Sequence, residues 1–239
     1  TQVVQKSSNV GASKIALSLP NYAYYHTLQK AGFGELPTSE FPGEASGHMP
    51  SLRRLDDFTY ATMSFGYGLS ASLLQLARAY MAFANGGIIY PISLLKLEHA
   101  PLGTRLFSPK VAEEMRMILH TVEEQGGTGV LANIPGYLVA GKTGTSNQVK
   151  KGGGFSHENY NALFAGLAPL EQPKLVIAIR MNRPHRNRAD HFGGNSAAPV
   201  FAMIAKQALP LMGQLATVPS IDQHFFRFQR RYLDNVVDN

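Results

Sequence analysis

The period of the apolar residues changes once along this chain, and that change limits it to one class of fold. Up to about residue 122 the apolar positions recur at helical spacing; from residue 137 they come in short, unbroken runs. Ala12, Ile15, Ala16 and Leu19 keep the helical interval until Pro20 stops it. Asn21 is placed to cap a second helix, in which Tyr24, Leu28 and Ala31 share a face before Gly32. Residues 33–58, rich in Gly, Pro and polar groups, read as a long irregular connection. Ser72 opens a third helix with Leu73, Ala77, Tyr80 and Ala84 on its stripe. Ser108 and Pro109 open a fourth, with Val111, Met115, Ile118 and Val122 in line and Gly126-Gly127 at its end. Tyr137 to Thr143, Ala162 to Ala168 and Lys174 to Met181 then read as strands, the last two an antiparallel hairpin across Pro169 to Pro173. A fifth helix is expected from about Ser196 to Leu211, with Pro199 tolerated in its first turn. Helices, then antiparallel strands, then a closing helix make an α+β fold, an antiparallel sheet flanked by helices rather than a βαβ repeat. Residues 1–212 are expected to form one domain and 213–239 a tail.

Composition narrows the function. An apolar fraction of 44% and a charged fraction of 16% are those of a globular chain. The net charge of +6 invites an anionic partner. However, the basic residues are scattered, with short clusters only at Lys150-Lys151, Arg183 to Arg188 and Arg227 to Arg231, so a solvated surface is read and no nucleic acid is expected. The absence of cysteine excludes disulfides and thiolate metal sites. The eight histidines are dispersed, and His185, Asp190 and His191 in one loop lack ligand spacing, so neither metal nor cofactor is expected. No apolar run approaches the length of a membrane span.

Two patterns compete for Lys142. Gly136 to Thr143 matches the phosphate-loop pattern G-x-x-x-x-G-K-[ST] letter for letter. A phosphate cradle needs a buried strand before the first glycine and a helix opening at the lysine. Here Asn133-Ile134-Pro135 precedes it, the intervening residues are strand-like, and Gly144-Thr145-Ser146-Asn147 starts no helix. A nucleotide-binding protein is therefore a distant alternative. The other reading takes Lys142-Thr143-Gly144-Thr145 as the end of a strand, together with Ser7-Ser8-Asn9. A hydroxyl at Ser7 both donates and accepts, as a proton relay requires. The Asn9 amide can orient a peptide bond, Lys142 supplies a positive charge, and Gly144 lets a substrate backbone approach. Strict alternation sends Lys142 and Thr143 to opposite faces, so one ligand uses both only by lying along the strand edge, like an added strand.

These are two of the three motifs of penicillin-recognising serine enzymes, S-x-x-K, S-x-N and K-T-G. Ser64-Phe65-Gly66-Tyr67-Gly68 with Leu74 to Ala77, Gly126-Gly127-Thr128-Gly129, and Phe192-Gly193-Gly194 leading into Ala197 to Phe201 complete a resemblance in the expected order. Over residues 1 to about 212 the chain resembles class B penicillin-binding proteins, and within them the septal D,D-transpeptidase of Gram-negative bacteria. The resemblance implies the C-terminal part of a serine β-lactamase-like transpeptidase domain. It implies an acyl-enzyme formed on stem peptides ending in D-Ala-D-Ala, β-lactams as mimics, and divisome membrane proteins as partners. It also implies a place at the periplasmic face of the inner membrane, with an anchor upstream.

By the same resemblance Ser7 relays a proton and is tuned by Lys142, while Asn9 holds the substrate amide. Thr143 and Thr145 bind the terminal carboxylate, and the Thr145 backbone N–H forms half of an oxyanion hole. Gly144 lines the substrate, and Tyr67 and Phe192 are aromatic neighbours of the ligand. One departure is marked: no S-x-x-K precedes Ser7, so Thr1 is read as an internal boundary and the nucleophile is expected upstream. Ser93-Leu94-Leu95-Lys96 fits the letters but lies between the other two motifs, in an apolar, strand-like segment, and is read as a decoy. A β-lactamase or D,D-carboxypeptidase, or a β-lactam sensor module, shares the motifs and stays open.

Overall fold

The computed structural model describes residues 1–20, 22–37, 39, 41–149, 154–184 and 191–216. Readings made on Asn21, on residues 150–153 and 185–190, and on the tail from 217 onward lie outside the described residues. The chain divides into two compact units, Thr1–Ile118 and Leu119–Asn239.

The first unit is helical. A single turn, α1 (Gln2–Gln5), is followed at once by α2 (Asn9–Ser18). Between them Ser8 N–H donates to the Val3 carbonyl (2.9 Å) and Ser7 N–H to that of Val4 (3.2 Å). This is the Schellman pattern of helix endings, and it places Ser7 at the left-handed position, with φ of 53°. Ser8 then caps α2, its Oγ accepting from Gly11 N–H (3.1 Å). A Cβ on Gly11 would stand 2.6 Å from Val3, so glycine there lets the two helices close on one another. α3 (Ala23–Lys30) starts with Tyr22 at the cap position. α4 (Asp57–Met63), capped by Asp56, occupies part of the stretch expected to be irregular.

α5 (Leu73–Ala84) is opened by a capping box of Ser72 and Gln75. Its buried residues are Gln75 and Ala82, whereas Leu73, expected on the buried stripe, is exposed. Gln75 can be buried because its Nε2 donates to the carbonyls of Gly32, Glu35 and Ser46 at 2.8–3.0 Å. Ala16, Tyr25, Leu55, Tyr60 and Met63 form the core of this unit. A two-residue ladder, β1 (Ile88–Ile89) with β2 (Thr104–Arg105), leads to α6 (Pro109–His120). On α6, Ala112 and Leu119 are buried and Val111 is exposed, so the stripe is rotated by one residue from expectation.

The second unit is a three-stranded antiparallel sheet in the order β3-β4-β5, with α7 (Gly193–Leu211) packed on it. β3 (Ala140–Val149) pairs with β4 (Phe155–Ala168), Lys142 opposite Ala165 and Thr145 opposite Ala162. β4 pairs with β5 (Leu175–Asn182) in the expected hairpin. The first strand was expected over residues 137–143. Instead Gly136, at φ of 87°, turns the chain so that Tyr137 bridges Ile134, and the strand begins at Ala140. It then runs past the motif, so Lys142 to Thr145 lies inside the strand rather than at its end.

Ala197, Ala198, Phe201, Ala205 and Leu209 form one stripe of α7, wholly buried with Val139 and Phe164. The Phe164 and Phe201 ring centroids are 4.9 Å apart. Burial of each ring contributes about 2–3 kcal/mol, and the small alanines let the helix lie close on the sheet. Because α7 begins at Gly193, Pro199 falls in its second turn, not its first as expected. The missing N–H there costs one intrahelical bond, which the burial on either side offsets.

Candidate active site

In the second unit the motif residues are held by a frame of backbone contacts. β3 is the end strand of the sheet, so one of its long edges has no strand partner among the described residues. Lys142 and Thr143 leave the strand on opposite sides, but the lysine is long enough to return. Its Nζ donates to the Thr143 carbonyl (3.0 Å) and to Thr143 Oγ1 (3.2 Å). Thr143 Oγ1 also lies 2.7 Å from Thr128 Oγ1, in the Gly126-Gly127-Thr128-Gly129 turn. Thr145 is exposed and its Oγ1 accepts from Gly193 N–H (3.2 Å).

Glycines make that frame possible. A Cβ on Gly193 would stand 2.1 Å from the Leu163 carbonyl oxygen and 2.5 Å from that of Gly144, and one on Gly194 2.0 Å from that of Thr128. Only backbone without side chains fits there, so Phe192-Gly193-Gly194 fixes the start of α7 against the motif strand. A Cβ on Gly144 meets only Leu163, at 3.3 Å. Phe192 is half exposed, its ring 4.1 Å from that of His191, which lies 4.8 Å from that of Tyr160.

The electrostatics centre on Lys142. Burial lowers its pKa to about 8, against the opposing charge of Glu123. Glu123 itself is wholly buried in the turn after α6, and burial raises its carboxyl well above the usual carboxylate range.

The remaining sequence-selected residues belong to the first unit. Ser7 sits at the left-handed junction and Asn9 is the first residue of α2. α2 packs on α4, Ser13 Oγ donating to the Ala61 carbonyl (3.3 Å). Tyr67 follows α4, its N–H on the Thr62 carbonyl (3.1 Å) and its ring edge-on to Phe65. The phosphate-loop alternative fails on geometry, because the lysine stands within a strand and no helix follows it. Ser93 is in neither the expected strand-like segment nor a helix. It lies in an exposed turn, its Oγ donating to the Leu95 carbonyl and accepting from Leu95 N–H. Among the described residues no group of His, Asp or Glu could hold a metal, and no helix is long and apolar enough to cross a membrane.

Two features escaped the sequence reading. Thr128 was noted only as part of a glycine-rich stretch, and its hydroxyl contact is tertiary. Glu123 follows Val122 of the apolar stripe, and nothing in its neighbours marks it as buried.

Residues 1–206 match the penicillin binding protein transpeptidase domain family. The probable peptidoglycan D,D-transpeptidase PenA of Neisseria meningitidis is 39% identical over 220 residues, 91% of this chain and 37% of that protein. The peptidoglycan D,D-transpeptidase FtsI of Escherichia coli is 39% identical over 212 residues, 89% of this chain and 36% of that protein. The chain thus spans little more than a third of the length of these relatives. Among solved structures, the apo transpeptidase domain of Burkholderia pseudomallei penicillin-binding protein 3 superposes with a TM-score of 0.84 at 39% identity, covering 91% of this chain and 65% of that one. Penicillin-binding protein 3 of Mycobacterium tuberculosis, complexed with ampicillin, superposes at 0.82 and 34% identity, covering 91% and 52%. On the match of residues 1–206 to that domain family and on its likeness to these relatives, the chain belongs to the class B penicillin-binding protein transpeptidase family.

Proposed function

We propose that this chain is the substrate-holding part of a peptidoglycan D,D-transpeptidase, target of β-lactams, that works in septal wall synthesis at the periplasmic face of the inner membrane with divisome proteins. The observation that carries this reading is the edge strand β3, which presents Lys142, Thr143 and Thr145 in a fixed frame. A stem peptide lies along that edge as an added strand, its terminal carboxylate taken by the hydroxyls of Thr143 and Thr145 and by the Lys142 ammonium.

The serine of the family's S-x-x-K motif attacks the penultimate D-Ala carbonyl, forming an ester and releasing the terminal D-Ala as its amine. The amine of a second stem then attacks the ester and frees the serine. Ser7 carries the proton to the leaving amine, Asn9 orients the scissile amide, and the Thr145 backbone N–H supplies half of the oxyanion hole. Gly144 keeps the strand surface low, and Tyr67 and Phe192 flank the ligand.

The test is product analysis with the full-length protein, a D-Ala-D-Ala stem peptide and an amine acceptor. The proposal expects crosslinked dimer with release of D-Ala. Released acid alone marks a carboxypeptidase, and an acyl-enzyme that persists marks a sensor; either outcome overturns transpeptidation.

A further inference from the structure

Thr128 is set in place by the backbone around it. It lies in the turn after α6, where Gly127 N–H donates to the Glu124 carbonyl (2.8 Å) and Gly129 N–H to that of Val122 (2.8 Å). A Cβ on Gly127 would stand 2.1 Å from the Val122 carbonyl oxygen, and one on Gly194 2.0 Å from that of Thr128 itself. The turn is thus closed on the residues that follow α6 and on the first turn of α7. From there Thr128, itself exposed, reaches β3: its Oγ1 lies 2.7 Å from Thr143 Oγ1.

The hydrogens at Thr143 can then be assigned. A hydroxyl has one hydrogen and two lone pairs. Lys142 Nζ donates to Thr143 Oγ1 (3.2 Å) and so fills one lone pair. If Thr143 gives its own hydrogen to Thr128, none is left for a ligand. If Thr128 donates instead, both lone pairs are filled and the Thr143 hydrogen points out of the cluster. A carboxylate only accepts, so it binds the second arrangement. We propose that Thr128 is a positioning residue of this site, donating its hydroxyl hydrogen to Thr143 Oγ1 and so turning the Thr143 O–H toward the substrate carboxylate. The idea rests on the transpeptidase reading above. Thr145 is prepared in the same sense: its Oγ1 accepts from Gly193 N–H (3.2 Å), so both hydroxyls keep a hydrogen to give.

The consequence is an effect that depends on the ligand's carboxylate. Full-length Thr128→Val keeps the branched shape and loses the hydroxyl. Its second-order acylation rate with a penicillin should fall about five- to tenfold, as on weakening one hydrogen bond to a charged group. The loss should lie in the affinity of the complex formed before acylation, with the acylation step itself changed by less than about twofold. With the methyl ester of the same penicillin, which has no carboxylate, the variant and wild type should agree within about twofold. Thr128→Ser should restore the rate with the free acid to within about threefold of wild type. Equal losses on acid and ester, or a loss that serine does not restore, would make the residue merely structural and overturn the proposal. If the valine variant does not fold, ¹³C NMR of the unsubstituted full-length protein, labelled at threonine methyls, carries the test. The Thr128 resonance should shift on acylation by the penicillin, and the absence of a shift overturns the proposal. A wild-type protein that no β-lactam acylates would sink the transpeptidase reading and this proposal with it. Acylation of wild type and valine variant at one rate sinks the proposal alone.

Discussion

Replacing Gly193 by alanine should damage both the fold and the chemistry, because the space for one methyl group is occupied by backbone. The added Cβ would lie 2.1 Å from the Leu163 carbonyl oxygen and 2.5 Å from that of Gly144. Comfortable C···O contact is about 3.3 Å, so the start of α7 must retreat by about 1 Å. Neither oxygen can rotate away, since both belong to the paired strands β3 and β4. Overpacking of this kind costs about 1–3 kcal/mol, and loss of the Gly193 N–H bond to Thr145 Oγ1 about 1 kcal/mol more. Alanine's better helix propensity returns less than about 1 kcal/mol. A net loss of about 2–3 kcal/mol corresponds to a Tm lower by about 4–10 °C in a domain of this size. Scanning calorimetry of the full-length protein reads the first effect. Acylation by fluorescent penicillin, expected to fall by about tenfold as the Thr145 hydroxyl loses its donor, reads the second. An unchanged Tm with unchanged acylation would refute the argument that backbone crowding at Gly193 sets the geometry of β3.

Lys142 ties activity and stability to pH with opposite signs. Its native pKa of about 8 lies below the ordinary 10.5, so between these values the unfolded chain holds more protons than the native one. Stability from this group should therefore rise with pH across that window, while acylation falls above pH 8. Lys142→Met should remove the stability slope, and a slope that persists would assign it elsewhere. Ser7→Gly should keep or raise Tm, since relief of about 1–2 kcal/mol of left-handed strain outweighs glycine's entropy cost of about 0.5–1 kcal/mol. Its acylation rate should nevertheless drop by about two orders of magnitude; near-normal acylation would remove Ser7 from the relay. Ser93→Ala should leave penicillin labelling unchanged, because its hydroxyl serves only an exposed turn; loss of labelling in a folded variant would reverse that assignment.

The fold class was legible because the apolar runs of the sheet and α7 pack on one another: Phe164 on the central strand is wholly buried, and Val176 to Ile179 on the end strand β5 are partly buried, with Ile177 and Ile179 beneath α7. Helix openings were legible where a side chain supplies the cap, as at Ser72 and Ser108. What failed depended on tertiary partners. Gln75 is polar on a buried face because three distant carbonyls meet it, and α4 was hidden by the glycines and prolines on either side. The motif strand extends to Val149 because β4 continues beside it, which polar Ser146 to Gln148 do not announce. That Lys142, Thr143 and Thr145 share one strand could be read from four letters. Their support by Thr128 and Gly193 could not, since those contacts join residues 15 and 48 positions apart.

The central claim is that the charged edge of β3 drives acyl transfer, and stopped-flow acylation of full-length Lys142→Ala tests it most directly. Removing a charge partner of the transition state should slow penicillin acylation by about two orders of magnitude or more. The variant should still fold, because Lys142 is not part of the buried core. An acylation rate within a few-fold of wild type in a folded protein would contradict the account.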